Sequence, residues 1–479
     1  VSSALANLPA NGDYAALLPA FVLALVPLLI LFLDLFFRAG GAARRGVAVA
    51  IAVIGLIVVG FLEASQYGHD YAAFGGAFVQ GGFAVVFSEI VLIATVATLL
   101  LSVGVGRDDQ VAGTTSLILW SATGALLMAG AANLMVVFLG LELLSLALYC
   151  LCAMSSRRTA RESALKYLIL SSMASGFLLY GSALLFGATG SVQLSAIATA
   201  TVTPLLALGA GLFLVGLAFK LSLVPFHAWT PDVYEGAPLP ITAFMSVVTK
   251  AGTLAVLARF AYAALPSDHH EALLAPLWVL AALSMLVGNL GALAQTDMKR
   301  LLAYSGIAQV GYIVTAFAGT TALGLRYALL YLAGYTFMNL GAFAVVALMS
   351  REGDAVVGLP RFAGLAYRRP WLAAAMTFFL IGLAGLPPTI GFTGKVLILA
   401  ATVGSYAWLG GILIIGTAIS AYVYFKIVRV MFARSDQRHV HDERSRNALP
   451  WVAVAVCAVL TFALGLVPLT PSNVLPLVK

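Results

Sequence analysis

Charge is what this sequence has least of. Only 9% of its 479 residues are Asp, Glu, Lys or Arg, while 62% are hydrophobic. A soluble globular chain carries about 25% charged residues, so water is excluded as the main solvent. Cysteine is almost missing. Of the three, Cys150 and Cys152 share one apolar run and Cys457 lies in another, without metal-ligand spacing. Of six histidines only His227 lies near the interior of an apolar segment. That leaves too few ligands for a bis-histidine haem or an iron–sulfur cluster, so no cofactor is expected in this chain. Short alternating strands are also lacking, which excludes a membrane β-barrel. The net charge of +7 comes from basic residues in short loops between apolar runs. That placement describes topology, and no nucleic-acid partner is expected.

What the chain does have is long apolar runs, each able to cross a hydrocarbon core of about 30 Å. They predict an all-α polytopic membrane protein with fourteen transmembrane spans: 15–37, 46–63, 83–104, 115–131, 133–154, 163–187, 205–224, 238–262, 273–293, 300–318, 322–349, 371–399, 405–432 and 448–469. The first run has no basic segment before it and reads as a retained span. Lys and Arg collect in alternate loops, at Arg38, Arg44 and Arg45; Arg107; Arg157, Arg158 and Arg161; Lys299 and Arg300; Arg351, Arg361, Arg368 and Arg369; and from Arg434 to Arg446. The loops near 64–82, 188–204, 263–272 and 400–404 hold none. By the positive-inside rule both termini face outward across a bacterial plasma membrane. Arg259 and Arg326, near outer helix ends, are expected to snorkel.

Two runs are interrupted by proline, at Pro225 in FKLSLVPFHAWTPDVYEGAP and at Pro387-Pro388 in GLAGLPPTIGFTGK. Proline removes a backbone donor and clashes with the preceding turn, so spans 7 and 12 should break there. Irregular backbone at membrane depth is tolerated only inside protein or against a wet cavity. The breaks lie five spans apart, so the second broken helix runs opposite to the first. This predicts two inverted five-helix repeats. The expected units are 1–114 with three helices, repeats at 115–262 and 263–432, and a C-terminal loop and span at 433–479.

The informative charges lie inside the runs: Glu142 in LGLELLSLALY, Lys220 in GLAFKLSLVPFH, Lys250 in SVVTKAGTLA and Lys395 in FTGKVLILA. An ionised group near a helix centre costs roughly 2.5–3.5 kcal/mol, so four cost about 10–14 kcal/mol before compensation. One carboxylate cannot neutralise three lysines, so internal ion pairing alone does not explain them. An ordinary lysine keeps its proton up to about pH 10.4. Withdrawal from water disfavours a lysine's charged form, and an approaching carboxylate restores it. Glu142 with Lys220 is therefore the expected switching pair, Lys250 a central relay and Lys395 the terminal site toward the outer face.

Other polar positions admit two readings each. His227 suits a proton relay or a hydrogen bond at the helix break. Lys166 in ESALKYLIL suits snorkelling or proton uptake, while Tyr304, Ser305 and Gln309 suit a water wire or polar packing. Asp34 has Arg38 at i+4, a helix-surface pair. Glu89 has no local partner and suits a wet cavity or a neighbouring subunit.

At these residues the sequence resembles a known family. ESALKYLILSSMASGFLLYGSALLFGATGS, GLAFKLSLVPFHAWTPDVYEGAPLPITAFMSVVTK, MKRLLAYSGIAQVGY and GLPPTIGFTGKVLIL look like the N subunit of bacterial proton-pumping NADH:quinone oxidoreductase, respiratory complex I. The resemblance implies fourteen helices in inverted five-helix repeats, a proton path through Glu142, Lys220, Lys250 and Lys395, and accessory roles for Lys166 and His227. It implies membrane partners, sister antiporter-like subunits among them, set in membrane lipid. Flavin, iron–sulfur clusters and quinone are then expected in partner subunits. A medium-length sister usually carries glutamate where Lys395 stands, which favours the N type. Many members have histidine where this chain has Gln309, and glutamine cannot titrate. The alternative is a subunit of a multisubunit sodium/proton antiporter, for which carboxylates at a cation site are expected.

Overall fold

The computed structural model describes residues 11–36, 42–103, 110–155, 157–318, 321–350, 357–434 and 449–466. Its helices are α1 (Asn11–Asp34), α2 (Ala42–Ser65), α3 (Gly82–Ser102), α4 (Val111–Gly130), α5 (Leu134–Ala153), α6 (Arg158–Thr189), the short α7 (Leu194–Ala198), α8 (Pro204–Leu221), α9 (Trp229–Gly236), α10 (Leu239–Ala263), α11 (His270–Leu293), α12 (Met298–Thr315), α13 (Ala322–Met349), the short α14 (Leu365–Arg368), α15 (Pro370–Ala384), α16 (Ile390–Val403), α17 (Ala407–Phe432) and α18 (Leu449–Gly465). Among the described residues, eleven helices are long and apolar enough to cross a membrane. Three more, α15, α16 and α18, are apolar but shorter. The protein is an all-α, multi-pass membrane protein.

Local chemistry sets where helices begin. Asn133, Thr203, Asp297 and Thr321 each accept a backbone N–H of the first turn through a side-chain oxygen. Pro204 follows Thr203 at the first helical position, where its missing N–H costs nothing. Two ends are built alike. After α8, Ser222 adopts φ +63 and the Leu223 N–H reaches back to the Ala218 carbonyl at 2.9 Å. After α15, Gly385 adopts φ +83 and the Leu386 N–H reaches the Ile381 carbonyl at 3.1 Å. A left-handed residue followed by a backward hydrogen bond ends a helix firmly. Pro225 and Pro388 then follow within three residues.

α10 is the axis of the molecule. It is buried through its whole apolar window and packs on α3, α4, α8 and α13. The outer helices α1, α2, α6 and α17 leave more than half of theirs uncovered. A small hairpin is the only named β-sheet among the described residues. β1 (Tyr71–Ala73) pairs antiparallel with β2 (Phe78–Gln80) around a turn of Phe74, Gly75 and Gly76, all at positive φ. It docks on the α4–α5 turn, where the Ala132 N–H meets the Ala77 carbonyl at 3.0 Å.

Two sequence expectations need correcting. Arg259 does not snorkel: its Nη2 turns inward to the carbonyls of Val79 and Ala129, and its guanidinium stacks over Phe83. Two backbone acceptors and a ring face outcompete the water at the helix end. Lys299 is not a loop residue. It is 1% exposed and donates to the carbonyls of Glu235, at 2.5 Å, and Ala237, at 2.8 Å, capping the C-terminus of α9. Asp34 pairs with Arg44, while Arg38, the partner expected from the sequence, is not among the described residues. Arg38, Arg107, Arg351 and the stretch beyond Arg434 lie outside the described residues.

Candidate functional site

Lys220, Lys250 and Lys395 are each at most 4% exposed. Lys220 is in the last turn of α8. Its Nζ donates to Ser145 Oγ on α5 at 2.7 Å and to Tyr167 OH and Ser171 Oγ on α6 at 2.9 and 3.3 Å. The ammonium also lies 4.9 Å from the centre of the Tyr167 ring. Glu142, half-buried on α5, accepts a hydrogen bond from Ser175 one turn beyond Ser171. Ser171, Ser175, Leu141, Gly216 and Phe219 line one narrow cleft with Lys220. No ion pair joins Glu142 to Lys220; serine hydroxyls stand between carboxylate and ammonium.

Lys250, in the middle of α10, donates to Tyr234 OH at 3.0 Å and to Ser222 Oγ at 3.4 Å, the left-handed residue at the break. Thr230 Oγ1 holds that serine at 2.6 Å. Lys250 also faces the rings of Trp229 and Tyr234. Trp229 stacks on Tyr167 with centroids 4.8 Å apart and planes within 10°. The Tyr167–Trp229 stack thus links the surroundings of the two lysines: Lys220 bonds the Tyr167 hydroxyl and Lys250 faces the Trp229 ring.

Lys395, on α16, reaches back to the end of α15. Its Nζ donates to the carbonyls of Leu383 and Ala384 at 3.1 and 3.2 Å and lies 4.5 Å from the centre of the Tyr312 ring. A cation at a helix C-terminus meets the negative end of the helix dipole. Gln309 Nε2 donates to the same Leu383 carbonyl at 3.0 Å, so Gln309 and Lys395 share one acceptor. Gln309 further meets Tyr331 and Tyr424, and Ser305 meets Tyr424 OH at 2.5 Å.

The remaining sequence candidates fall at the margins. Lys166 is 45% exposed and pairs with Glu162 at 2.9 Å and Asp232 at 3.4 Å. Asp232 also pairs with Arg300, which reaches Glu235, so the cluster ties α6, α9 and α12 together. His227 is half-buried beside Tyr304, ring centroids 6.4 Å apart, and its Nδ1 is buried without a hydrogen-bond partner. Glu89 is close to Gly60 of α2, and its Oε1 is buried and unpartnered.

Sequence reasoning missed the groups that hold the lysines. Ser163, Tyr167, Ser171 and Ser175 stand four residues apart on α6 and are all buried. Tyr327, Tyr331, Tyr335 and Asn339 form the same stripe on α13. From the second stripe, Tyr335 OH and Asn339 Nδ2 bond Ser246, one turn from Lys250 on α10. The spacing of four in otherwise apolar helices was the available signal.

Isolated buried cations on a bundle of apolar helices define a multi-pass membrane protein whose ionisable groups sit inside the bundle. The chain belongs to the NADH:quinone oxidoreductase/Mrp antiporter transmembrane family, which its residues 131–420 match. It is 41% identical to NADH-quinone oxidoreductase subunit N 1 of Symbiobacterium thermophilum, over 96% of this chain and 97% of that protein. A chain of respiratory complex I from Thermus thermophilus with bound aureothin superposes with a TM-score of 0.81 at 35% identity, covering 94% of this chain and 97% of that one. The Mrp complex from Dietzia sp. DQ12-45-1b contains a chain that shares the fold, with a TM-score of 0.77 at 20% identity over 95% and 94%.

Proposed function

We propose that this chain is a proton-translocating, N-type subunit of a bacterial NADH:quinone oxidoreductase, in which redox chemistry in partner subunits drives protons along Glu142, Lys220, Lys250 and Lys395. The observation that carries the reading is how the lysines are held. Each is almost fully buried, and its hydrogen-bond partners are neutral hydroxyls or carbonyls. A cation kept without a counter-ion inside apolar helices is costly and answers to any change in nearby charge. Glu142 is near enough to modulate Lys220 through the Ser171–Ser175 pair, and Lys395 is the site toward the outer face. His227, Tyr304 and Gln309 would support water between these sites, and Lys166 proton uptake.

The same reading takes the chain as fourteen spans, with α8–α9 and α15–α16 as discontinuous helices and both termini outward. Repeats over 115–262 and 263–432 are supported by packing matched at an offset of 164 residues, which becomes 165 at Val192 and Leu194 against Val357 and Leu359. Gly124 is pressed against Gly140 and Leu144, and Gly288 against Tyr304 and Ala308. Leu134 N–H bonds Val192 and Leu194 N–H bonds Ala132; Met298 N–H bonds Val357 and Leu359 N–H bonds Thr296. The first loop pair touches the hairpin, and the second lies beside the Arg300–Asp232–Lys166 cluster at the opposite ends of α5 and α6. Opposite placement is what an inverted repeat requires.

The competing reading, a sodium/proton antiporter subunit, rests on the family model, which spans both kinds of protein, and on the shared fold. Purification of the intact assembly and mass spectrometry of its partners separates the two. Flavin and iron–sulfur subunits are expected to copurify, with sister antiporter-like membrane subunits. An assembly holding only cation/proton antiporter subunits contradicts the proposal.

A further inference from the structure

The Lys395 ammonium donates to two backbone carbonyls, and the face of the Tyr312 ring lies 4.5 Å from it. Tyr312 on α12 and Asn289 on α11 are both buried. Asn289 Nδ2 donates to the Tyr312 hydroxyl at 2.9 Å and to the Gly416 carbonyl of α17 at 3.0 Å. It also donates to the Met285 carbonyl one turn back, at 2.6 Å. One amide thus joins three helices at the hydroxyl end of the ring whose face meets the lysine. α17 is seated closely there: a Cβ on Gly416 would stand 2.9 Å from the Tyr312 hydroxyl and 3.3 Å from Asn289 Nδ2. At the packing offset of 164 residues, the first half has Ala125 and Leu148 where Asn289 and Tyr312 stand. The arrangement therefore belongs to the second half alone.

We infer that Asn289 is a positioning residue for Lys395 and acts through Tyr312, holding the hydroxyl end of the ring so that its face stays on the ammonium. The inference rests on Lys395 being a proton site, as proposed above. A ring face attracts the charged form of a lysine, and more strongly away from water. A ring held by apolar packing alone is free to tilt, whereas tilting this one would break a buried hydrogen bond. The first half has Glu142 to act on its lysine; in the second half a neutral ring of fixed orientation takes that part. Of the elements packed on α16, α12 brings Tyr312 to Lys395, α13 brings Tyr331 alongside, and α17 brings Tyr424 by way of Gln309. α15 has no ionisable side chain and α18 only Cys457.

The test reads protons moved per electron against pH in proteoliposomes holding the intact complex, with assembly checked by NADH oxidation under uncoupler. Lys395→Ala should lose most pumping, and a normal ratio there overturns the underlying reading and this inference with it. Asn289→Leu, close in volume, should lower the ratio about twofold and move the alkaline limb of the profile down by about half a pH unit. The direction follows because an ammonium with less of the ring against it gives up its proton more easily. Tyr312→Phe keeps the ring and removes the hydroxyl, so it should act alike, and it decides the matter alone if Asn289→Leu does not assemble. Adding Asn289→Leu to Tyr312→Phe should change nothing further. With pumping lost in Lys395→Ala, a wild-type ratio and limb in Tyr312→Phe, or a double variant in which the two effects sum, overturns the inference.

Discussion

The buried lysines differ in what holds them, and the difference has consequences residue by residue. Lys220 rests on three hydroxyls, whereas Lys395 rests on two backbone carbonyls that no substitution removes directly. A hydrogen bond to a charged group contributes about 1.5–3 kcal/mol. Ser145→Ala combined with Tyr167→Phe leaves Lys220 with Ser171 alone. We expect the assembled complex to keep its redox rate with uncoupler while its pumping falls severalfold, read from proton uptake in proteoliposomes. Unchanged pumping would show that these hydroxyls do not position the lysine. The lysines and Glu142 were legible in the sequence because a mid-membrane charge is anomalous by itself. Their partners were not. A serine in a helix can satisfy itself on the preceding turn, as Ser145 also does on Leu141, so its identity alone points to no tertiary contact.

Element ends were legible where proline marked them, and less so where the device was backbone conformation. Helices α8 and α15 end at Leu221 and Ala384, shortly before Pro225 and Pro387-Pro388. The left-handed Ser222 that closes α8 carries no such mark, because serine rarely adopts that region. The hairpin escaped notice since its strands are three residues each. Gly385 is held at φ +83, and a Cβ there would stand 2.8 Å from Lys395 Cδ. Gly385→Ala should therefore cost about 1–2 kcal/mol of backbone strain and displace the Lys395 ammonium as well. Reduced pumping with normal assembly is the expected result, and a variant that pumps normally would detach this break from function. The matched helix crossings give a second test. A Cβ at Gly124 would lie 2.5 Å from the Leu144 nitrogen, and one at Gly288 2.6 Å from the Ala308 nitrogen. Gly124→Ala and Gly288→Ala should each destabilise the complex by about 1–3 kcal/mol, and by similar amounts, in thermal unfolding. A large effect at one and none at the other would contradict equivalent roles in the two halves.

Across the whole molecule the polar groups run through an otherwise apolar bundle. They pass from Glu142 and Lys220, past the Tyr167–Trp229 stack to Lys250, through Ser246 to the α13 stripe, and on to Gln309 and Lys395. Composition and run length carried the all-helical membrane fold into view, because transfer free energy acts on whole segments. The succession of these groups is a property of packing between α10, α12 and α13, which no single segment encodes. Gln309 illustrates this: a glutamine cannot titrate, yet its amide links Tyr331 to the carbonyl shared with Lys395. The central claim is that the line conducts protons and that its buried lysines are charged and discharged in turn. The most direct test is the proton-to-electron stoichiometry of NADH oxidation by the reconstituted complex bearing Lys220→Ala, Lys395→Ala or Lys395→Arg. The account predicts a clear fall in protons moved per electron in all three, the arginine included because guanidinium stays charged across the working pH range. A wild-type ratio in either alanine variant would contradict it.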